Sequence, residues 1–425
     1  MFNTYNKYIR KIRTDDVFQN SLFITLATFS NAGVGFLFWI IAARFYSDAS
    51  VGTATAIISS LTLIVMFARL GLHQSIIHFF PKEDKNKVFT TSIAISLLSS
   101  IFLGISYVYL SNYISGQFDL TFLSLSGILF IIFLLSSSSE GIMGRVFLSL
   151  KQGKHYFGQN ILLGVRLLFL ILFSLYSSAL AIFAAWGMSF LISNVYSMFY
   201  LKKRNIWPSS ISLDYLKKSF DYSWKNYIIS ILISSPNHIL PIIVINLAGP
   251  EMAAYYFISH RIAQFAFTIP SSFSTSLFIE GSHGRNLKKG LIKSIGISSS
   301  VLLTFTTIII VFGADILSII NENYVQGYEV LVLMSISGFF VMFFRFFLSI
   351  QRVRGNLRPV MIITGLLSGS LIALSYILIP KIGIIAVGYA WLIGYGISNI
   401  IIVFYMYIYL NISVSEKISE LLEQI

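Results

Sequence analysis

The sequence predicts an all-α, polytopic membrane protein of twelve transmembrane helices arranged as two six-helix bundles. Three observations carry that prediction. The 425 residues are 56% hydrophobic and only 11% charged, with a mean hydropathy of +0.79, whereas a soluble domain carries roughly 25% charged residues. The apolar residues gather in repeated runs of about 20, the length that spans a hydrocarbon core of about 30 Å. Lys and Arg, in turn, collect on alternate connections between those runs.

The first run, Ser21 to Ala43, follows a basic stretch and superficially suggests a signal peptide. It is longer than the apolar region of about 7–15 residues in such a peptide. It therefore reads as an uncleaved first helix over residues 20–43. Five more runs follow at 51–70, 88–110, 120–141, 157–176 and 179–200. The second six fall at 223–246, 254–279, 291–312, 328–349, 360–379 and 384–410.

With a cytoplasmic N-terminus, the inner segments and adjoining helix ends hold 24 of the 30 Lys and Arg residues. The outer loops hold two, Arg44 and Lys381, and Arg69, Arg166, Arg261 and Arg345 fall within helices. This asymmetry is the positive-inside pattern, and it places both termini in the cytoplasm. The formal charge of +13 is thus accounted for by topology and anionic lipid, and nucleic acid is not an expected partner.

The connections exclude several classes. Ser177 and Ser178 alone turn between the fifth and sixth helices, and the longest outer loop, "GADILSIINENYVQG", is too short to build a core. Cysteine is absent, and there is no G-x-G-x-x-G, Walker lysine motif or H-E-x-x-H. A transporter is expected rather than an enzyme, with no catalytic residues, metal or cofactor. Of the inner connections, Leu201 to Ser223 puts Leu213, Leu216 and Phe220 on one helical face, with Lys217 and Lys218 elsewhere. Near the N-terminus Tyr5, Tyr8, Ile9 and Ile12 oppose Lys7, Arg10, Lys11 and Arg13. Both segments are expected to lie on the inner surface as amphipathic helices.

These paired lead-ins suggest a duplication. A shift of 206 residues superposes Asp15 on Asp221, Asn20 on Asn226 and Asn31 on Asn237. The expected division is 1–206, with its amphipathic N-terminal segment, and 207–425, preceded by the inner-surface segment. Parallel repeats of this kind bind substrate between the halves and alternate its exposure.

Polar residues inside spans mark the candidate binding site. "ILISSPNHILPIIVI", Ile231 to Ile245, sets Asn237 and His238 between Pro236 and Pro241 in an otherwise aliphatic run. Freed carbonyls at that depth are tolerated against protein or a water-filled cavity. Within spans, prolines are expected only at 236, 241 and 270. Asn31 is the repeat counterpart of Asn237.

Arg166 in "NILLGVRLLFLILFS" and Arg261 in "AAYYFISHRIAQFAFTIP" each cost roughly 2.5–3.5 kcal/mol on insertion scales. Gln264 lies one turn beyond Arg261, and Arg69 lies near the inner surface. Glu140 and Glu280 are expected at inner helix ends, which leaves the deep arginines without a carboxylate partner. A hydrated cavity receiving an anion accounts for them; snorkelling or pairing with helix carbonyls is the alternative. His238 and His260 are the deepest titratable candidates, or else structural hydrogen-bonding groups.

The stretch "GVGFLFWIIAARFYSDASVGTATAIISSLTLIVMFARLGLHQSIIHFFP" resembles the opening of the Wzx-type polysaccharide flippases, through Ala43, Gly52, Leu70–Gly71 and Phe80–Pro81. "LAGPEMAAYYFISHRIAQFAFTIPSSF" is similar to the same pattern in the second half, with Gly249, Ala253 and Pro270. The resemblance implies the multidrug/oligosaccharidyl-lipid/polysaccharide exporter fold, two bundles around a central cationic cavity. It implies a plasma-membrane flippase that moves a polyprenyl-pyrophosphate-linked oligosaccharide to the outer leaflet for cell-surface polysaccharide such as O-antigen. Coupling to H+ or Na+, and contact with other polysaccharide-assembly membrane proteins, are implied in the same way. A cation-coupled multidrug exporter of the same fold is the alternative. Lipid II flippases usually have fourteen helices, two more than are expected here.

Overall fold

The computed structural model describes residues 16–114, 124–282 and 287–423. The N-terminal stripe from Tyr5 to Ile12 lies outside them. All regular structure among the described residues is helical. The helices are α1 (Asp16–Phe45), α2 (Asp48–Ala68), α3 (Leu72–Phe79), α4 (Lys85–Ile114), α5 (Leu125–Ser149), α6 (Gly153–Leu162) and α7 (Arg166–Leu172). They continue with α8 (Ala179–Lys203), α9 (Leu213–Ala248), α10 (Pro250–Ser282), α11 (Leu287–Ile320), α12 (Tyr328–Val353), α13 (Leu357–Ile382) and α14 (Ile385–Glu423).

Eleven spans among the described residues are long and apolar enough to cross a membrane, α6 and α7 acting together as one of them. The 33-residue α10 fills the remaining expected place, the eighth. His260, Arg261 and Gln264 lie within it. The chain is a multi-pass membrane protein.

Serine begins many of these helices. Ser47, Ser124, Ser178 and Ser212 each accept a hydrogen bond from the backbone N–H three residues on, at 3.1–3.3 Å. Each satisfies a donor that the first helical turn leaves without a partner.

The chain divides into two compact units, Met1–Ile231 with Asn237–Ala254, and Leu232–Pro236 with Tyr255–Ile425. In the first, α2, α5 and α7 pack on α8, α4 packs on α5, and α1 packs on α6. One end of it is closed by an apolar cluster that includes Leu72, Ile76, Phe80, Phe89, Val146, Phe147 and Tyr215. The Tyr215 hydroxyl meets Ser75 Oγ at 3.1 Å and Ser92 Oγ at 3.0 Å. That hydroxyl pairing and Tyr227 Oη donating to the Phe67 carbonyl at 2.9 Å hold residues 213–231 in the first unit. By contacts, residues 207–231 thus group with the first unit.

In the second unit α12 packs on α11 and α14, and α13 packs on α14. Its aromatic core stacks Tyr256 on His260 and Phe267 on Trp391, with ring centroids 5.5 and 5.8 Å apart.

Three expectations about local structure are corrected. The segment from Leu213 is helical but runs without a break into α9, and it buries Tyr215, Ser219 and Ser223 while Leu213 and Phe220 stay exposed. Pro380 also lies inside a helix, in the last turn of α13. Helix α5 continues to Ser149 rather than ending near 141. This last correction moves Glu140 and Arg145 from a helix end and an inner loop into the body of a helix.

Candidate functional site

The first unit holds a cavity of about 380 Å³ whose wall carries Arg69, Arg145, Arg166, Glu140 and His73. Asn31, Tyr156, Asn160, Leu163, Trp186 and Phe190 complete most of it, with Gly141 and Gly144.

Arg69 and Arg166 reach the wall through local breaks in regular structure, whereas Arg145 projects from the unbroken body of α5. Beyond α2 the backbone turns left-handed at Leu70 (φ 46°) and Gly71 (φ 77°), a conformation that glycine adopts at least cost. That turn starts α3 and brings Arg69 and His73 to the same side. A single 3₁₀ turn, Leu163–Val165, separates α6 from α7. It leaves the Leu163 carbonyl to accept from Arg166 Nε at 2.7 Å. The Arg166 guanidinium lies over the Phe190 ring at 5.8 Å, and the residue is only 6% exposed.

The "SSSSEGIMG" stretch of α5 forms the opposing wall. A helix carbonyl lies beside residue i+4, and a glycine there uncovers it for a second hydrogen bond. Gly141 uncovers Ser137, whose carbonyl accepts from Arg69 Nη2 at 2.5 Å. Gly144 uncovers Glu140, whose carbonyl accepts from Gln159 Nε2 at 2.8 Å. Asn194 Nδ2 also donates to the α5 backbone, at the Ser136 carbonyl, at 2.8 Å. The backbone of α5 thus anchors side chains from three other elements.

Glu140 corrects the expectation that no carboxylate lies near Arg166; Arg261 belongs to the second unit and does not line this cavity. The Glu140 side chain shares the cavity with Arg69, Arg145 and Arg166. No ion pair within 4.0 Å joins it to any of them. Outside the spans, His73 is pushed down from its ordinary 6.5 to about 3, by burial first and then by Arg69 and Arg145. It is therefore neutral. With three arginines against one glutamate, the wall carries a formal surplus of two positive charges.

Of the residues singled out from sequence, Asn31, Arg69 and Arg166 line this cavity. Arg261 and Gln264 belong to the second unit, where Arg261 lies over the Phe257 ring at 4.7 Å and Gln264 Nε2 meets His260 Nε2 at 3.0 Å. Asn237 and His238 sit half-buried on α9, which stays helical through Pro236 and Pro241. Neither is in the cavity wall. Glu140, Arg145 and His73 were missed. The signal for the first two is the pair of glycines at 141 and 144, which continue one helical face past the expected end of α5.

Among solved structures, the chain is similar to a lipid II flippase MurJ in an inward closed conformation, with a TM-score of 0.72. The two are 15% identical over 91% of this chain and 87% of that one. It is also similar to an inward-facing multidrug resistance MATE family transporter of the MOP superfamily, with a TM-score of 0.68 and 15% identity over 93% of this chain and 96% of that one. At these identities the likeness is one of fold, and it is the fold that the resemblance implied. No curated protein matches the chain. Residues 17–279 match the model of a family described as polysaccharide biosynthesis protein. With that match covering more than half its length, the chain belongs to the polysaccharide biosynthesis protein family.

Proposed function

We propose that the protein is a flippase that turns a polyprenyl-pyrophosphate-linked oligosaccharide from the cytoplasmic to the outer leaflet of the plasma membrane, by alternating access. The observation that carries this reading is the cavity wall with three guanidiniums against one carboxylate. A pyrophosphate diester carries two negative charges at neutral pH, equal to the surplus. Guanidinium forks match phosphate oxygens in geometry as well as charge. Arg69 and Arg166 are already held by backbone carbonyls, so little side-chain freedom is lost when an anion enters. Depletion of the protein should make lipid-linked oligosaccharide accumulate on the cytoplasmic leaflet, measured by accessibility to a membrane-impermeant glycosidase. No accumulation would end the proposal. Contacts with other polysaccharide-assembly membrane proteins, and coupling to an H+ or Na+ gradient, belong to the same proposal.

One observation favours a cation-coupled small-molecule exporter instead. Glu140 supplies the intramembrane carboxylate that such a carrier uses to hold a cation. The positive surplus around it weighs the other way. Efflux of a cationic dye from proteoliposomes, abolished by Glu140→Gln, would establish the exporter.

A further inference from the structure

Glu140 is the one acidic group on a wall otherwise built to attract anions. A carboxylate there opposes anion binding, so its presence calls for a reason. A fixed structural ion pair would supply one, but Glu140 stands beyond 4.0 Å from Arg69, Arg145 and Arg166. The two most enclosed of these cations are secured without it. Arg69 is held by the Ser137 carbonyl, and Arg166 by the Leu163 carbonyl and the face of Phe190. The backbone at Glu140 is pinned by Gln159, so its side chain extends from a fixed point into the shared space.

We propose that Glu140 is a built-in counter-anion, which balances the cavity's guanidiniums when no cargo is bound and lowers its affinity for the cargo's phosphates. The inference rests on the anion-carrying reading above and adds a release device to it. A cavity of three unopposed cations would hold a diphosphate too long for turnover, since tighter ground-state binding does not raise the rate. With the carboxylate present, the departing anion is replaced by a charge already in place. Removing it should therefore tighten binding and slow turnover together, lowering KM and kcat in the same variant.

The test uses the full-length protein in lipid nanodiscs, with inorganic pyrophosphate as the probe and calorimetry as the readout. Glu140→Gln should bind pyrophosphate about tenfold more tightly, the order expected for removing one like charge at partly screened range. Glu140→Ser, which extends the serines at 136–139, should do the same, and Glu140→Asp should restore affinity to within about threefold of wild type. Unchanged or weaker binding by both neutral variants, with normal unfolding temperatures, overturns the proposal. Failure of both to fold also overturns it, since Glu140 would then be structural. If wild type binds no pyrophosphate, or Arg166→Ala binds it equally well, the anion-carrying reading falls as well. Those outcomes differ from tight wild-type binding that Glu140 does not modulate, which sinks the counter-anion alone.

Discussion

Arg69 and Gly141 share one volume. The guanidinium lies where a side chain at 141 would start, so that an added Cβ would come 2.7 Å from Nη1, and Nη2 donates to the Ser137 carbonyl one turn earlier. A real Cβ does not approach a heavy atom below about 3.0 Å, so alanine at 141 must evict the cation. The arginine and the glycine act as one unit although 72 positions separate them.

Gly141→Ala should therefore mimic loss of Arg69. Helix propensity alone favours alanine by about 0.8–1 kcal/mol, so α5 itself should not suffer. The expected outcome is transport reduced at least tenfold with membrane abundance near wild type, read in parallel with Arg69→Ala. The double variant should be no worse than either single one, because both remove the same contact. Additive losses would show that the two residues act separately.

The fold was legible because helical membrane segments announce themselves by length and hydropathy, and because positive charge sorts to one side. The site was legible in part. Arg166 stands alone in an aliphatic run, so its cost of insertion exposes it. Arg69, close to a helix end, admits a snorkelling or carbonyl-pairing reading in sequence, and in the structure it both donates to the Ser137 carbonyl and lines the cavity. Glu140 and Arg145 were hidden because "SSSSEGIMGR" is polar enough to read as the end of a span. Hydropathy cannot distinguish a helix that stops from one that continues against a polar cavity. Arg261 is equally visible in sequence, but its neighbour Phe257, one turn earlier, is apolar and gave no sign that its ring lies under the guanidinium.

Arg166→Ala and Arg261→Ala test one arginine in each unit. Arg166→Ala should lower transport about tenfold or more, the loss of one charge-assisted contact to a phosphate, while the protein reaches the membrane normally. Arg166→Lys should recover only part of it, because an ammonium cannot reproduce the guanidinium fork. Arg261→Ala should also lower transport without lowering abundance. Equal loss of abundance and transport in either variant would mark that arginine as structural, and immunoblotting beside a flipping assay separates the cases.

His73 gives a pH dependence. Its folded value of about 3 lies below the ordinary 6.5, under the influence of burial and of Arg69 and Arg145. The unfolded chain therefore binds the proton more readily, and stability falls as pH drops from about 6.5 toward 3. His73 contributes no loss above that window. Thermal unfolding in detergent at pH 7.5 and 5 should show a lower midpoint at pH 5, and His73→Asn should narrow the difference. An unchanged difference in the variant would assign the acid sensitivity to other groups.

Gly52 poses the question of how closely two backbones can pass. It lies in α2 against Pro250 at the start of α10, where a Cβ would overlap the Pro250 carbonyl and come 3.1 Å from Ala254 N. Both neighbours are main chain, which cannot rotate away as a side chain can. Two effects compete in Gly52→Ala. Alanine gains about 0.8–1 kcal/mol of helix propensity, and the overlap costs about 1–3 kcal/mol if the helices must part. The overlap should win, and Gly52→Val, with a stiff branched side chain, should lose more. Unfolding followed by size-exclusion chromatography after heating would show falling midpoints in the order Gly, Ala, Val. A rise for alanine would mean that α2 has room to move, and that helix propensity, not close approach, governs residue 52.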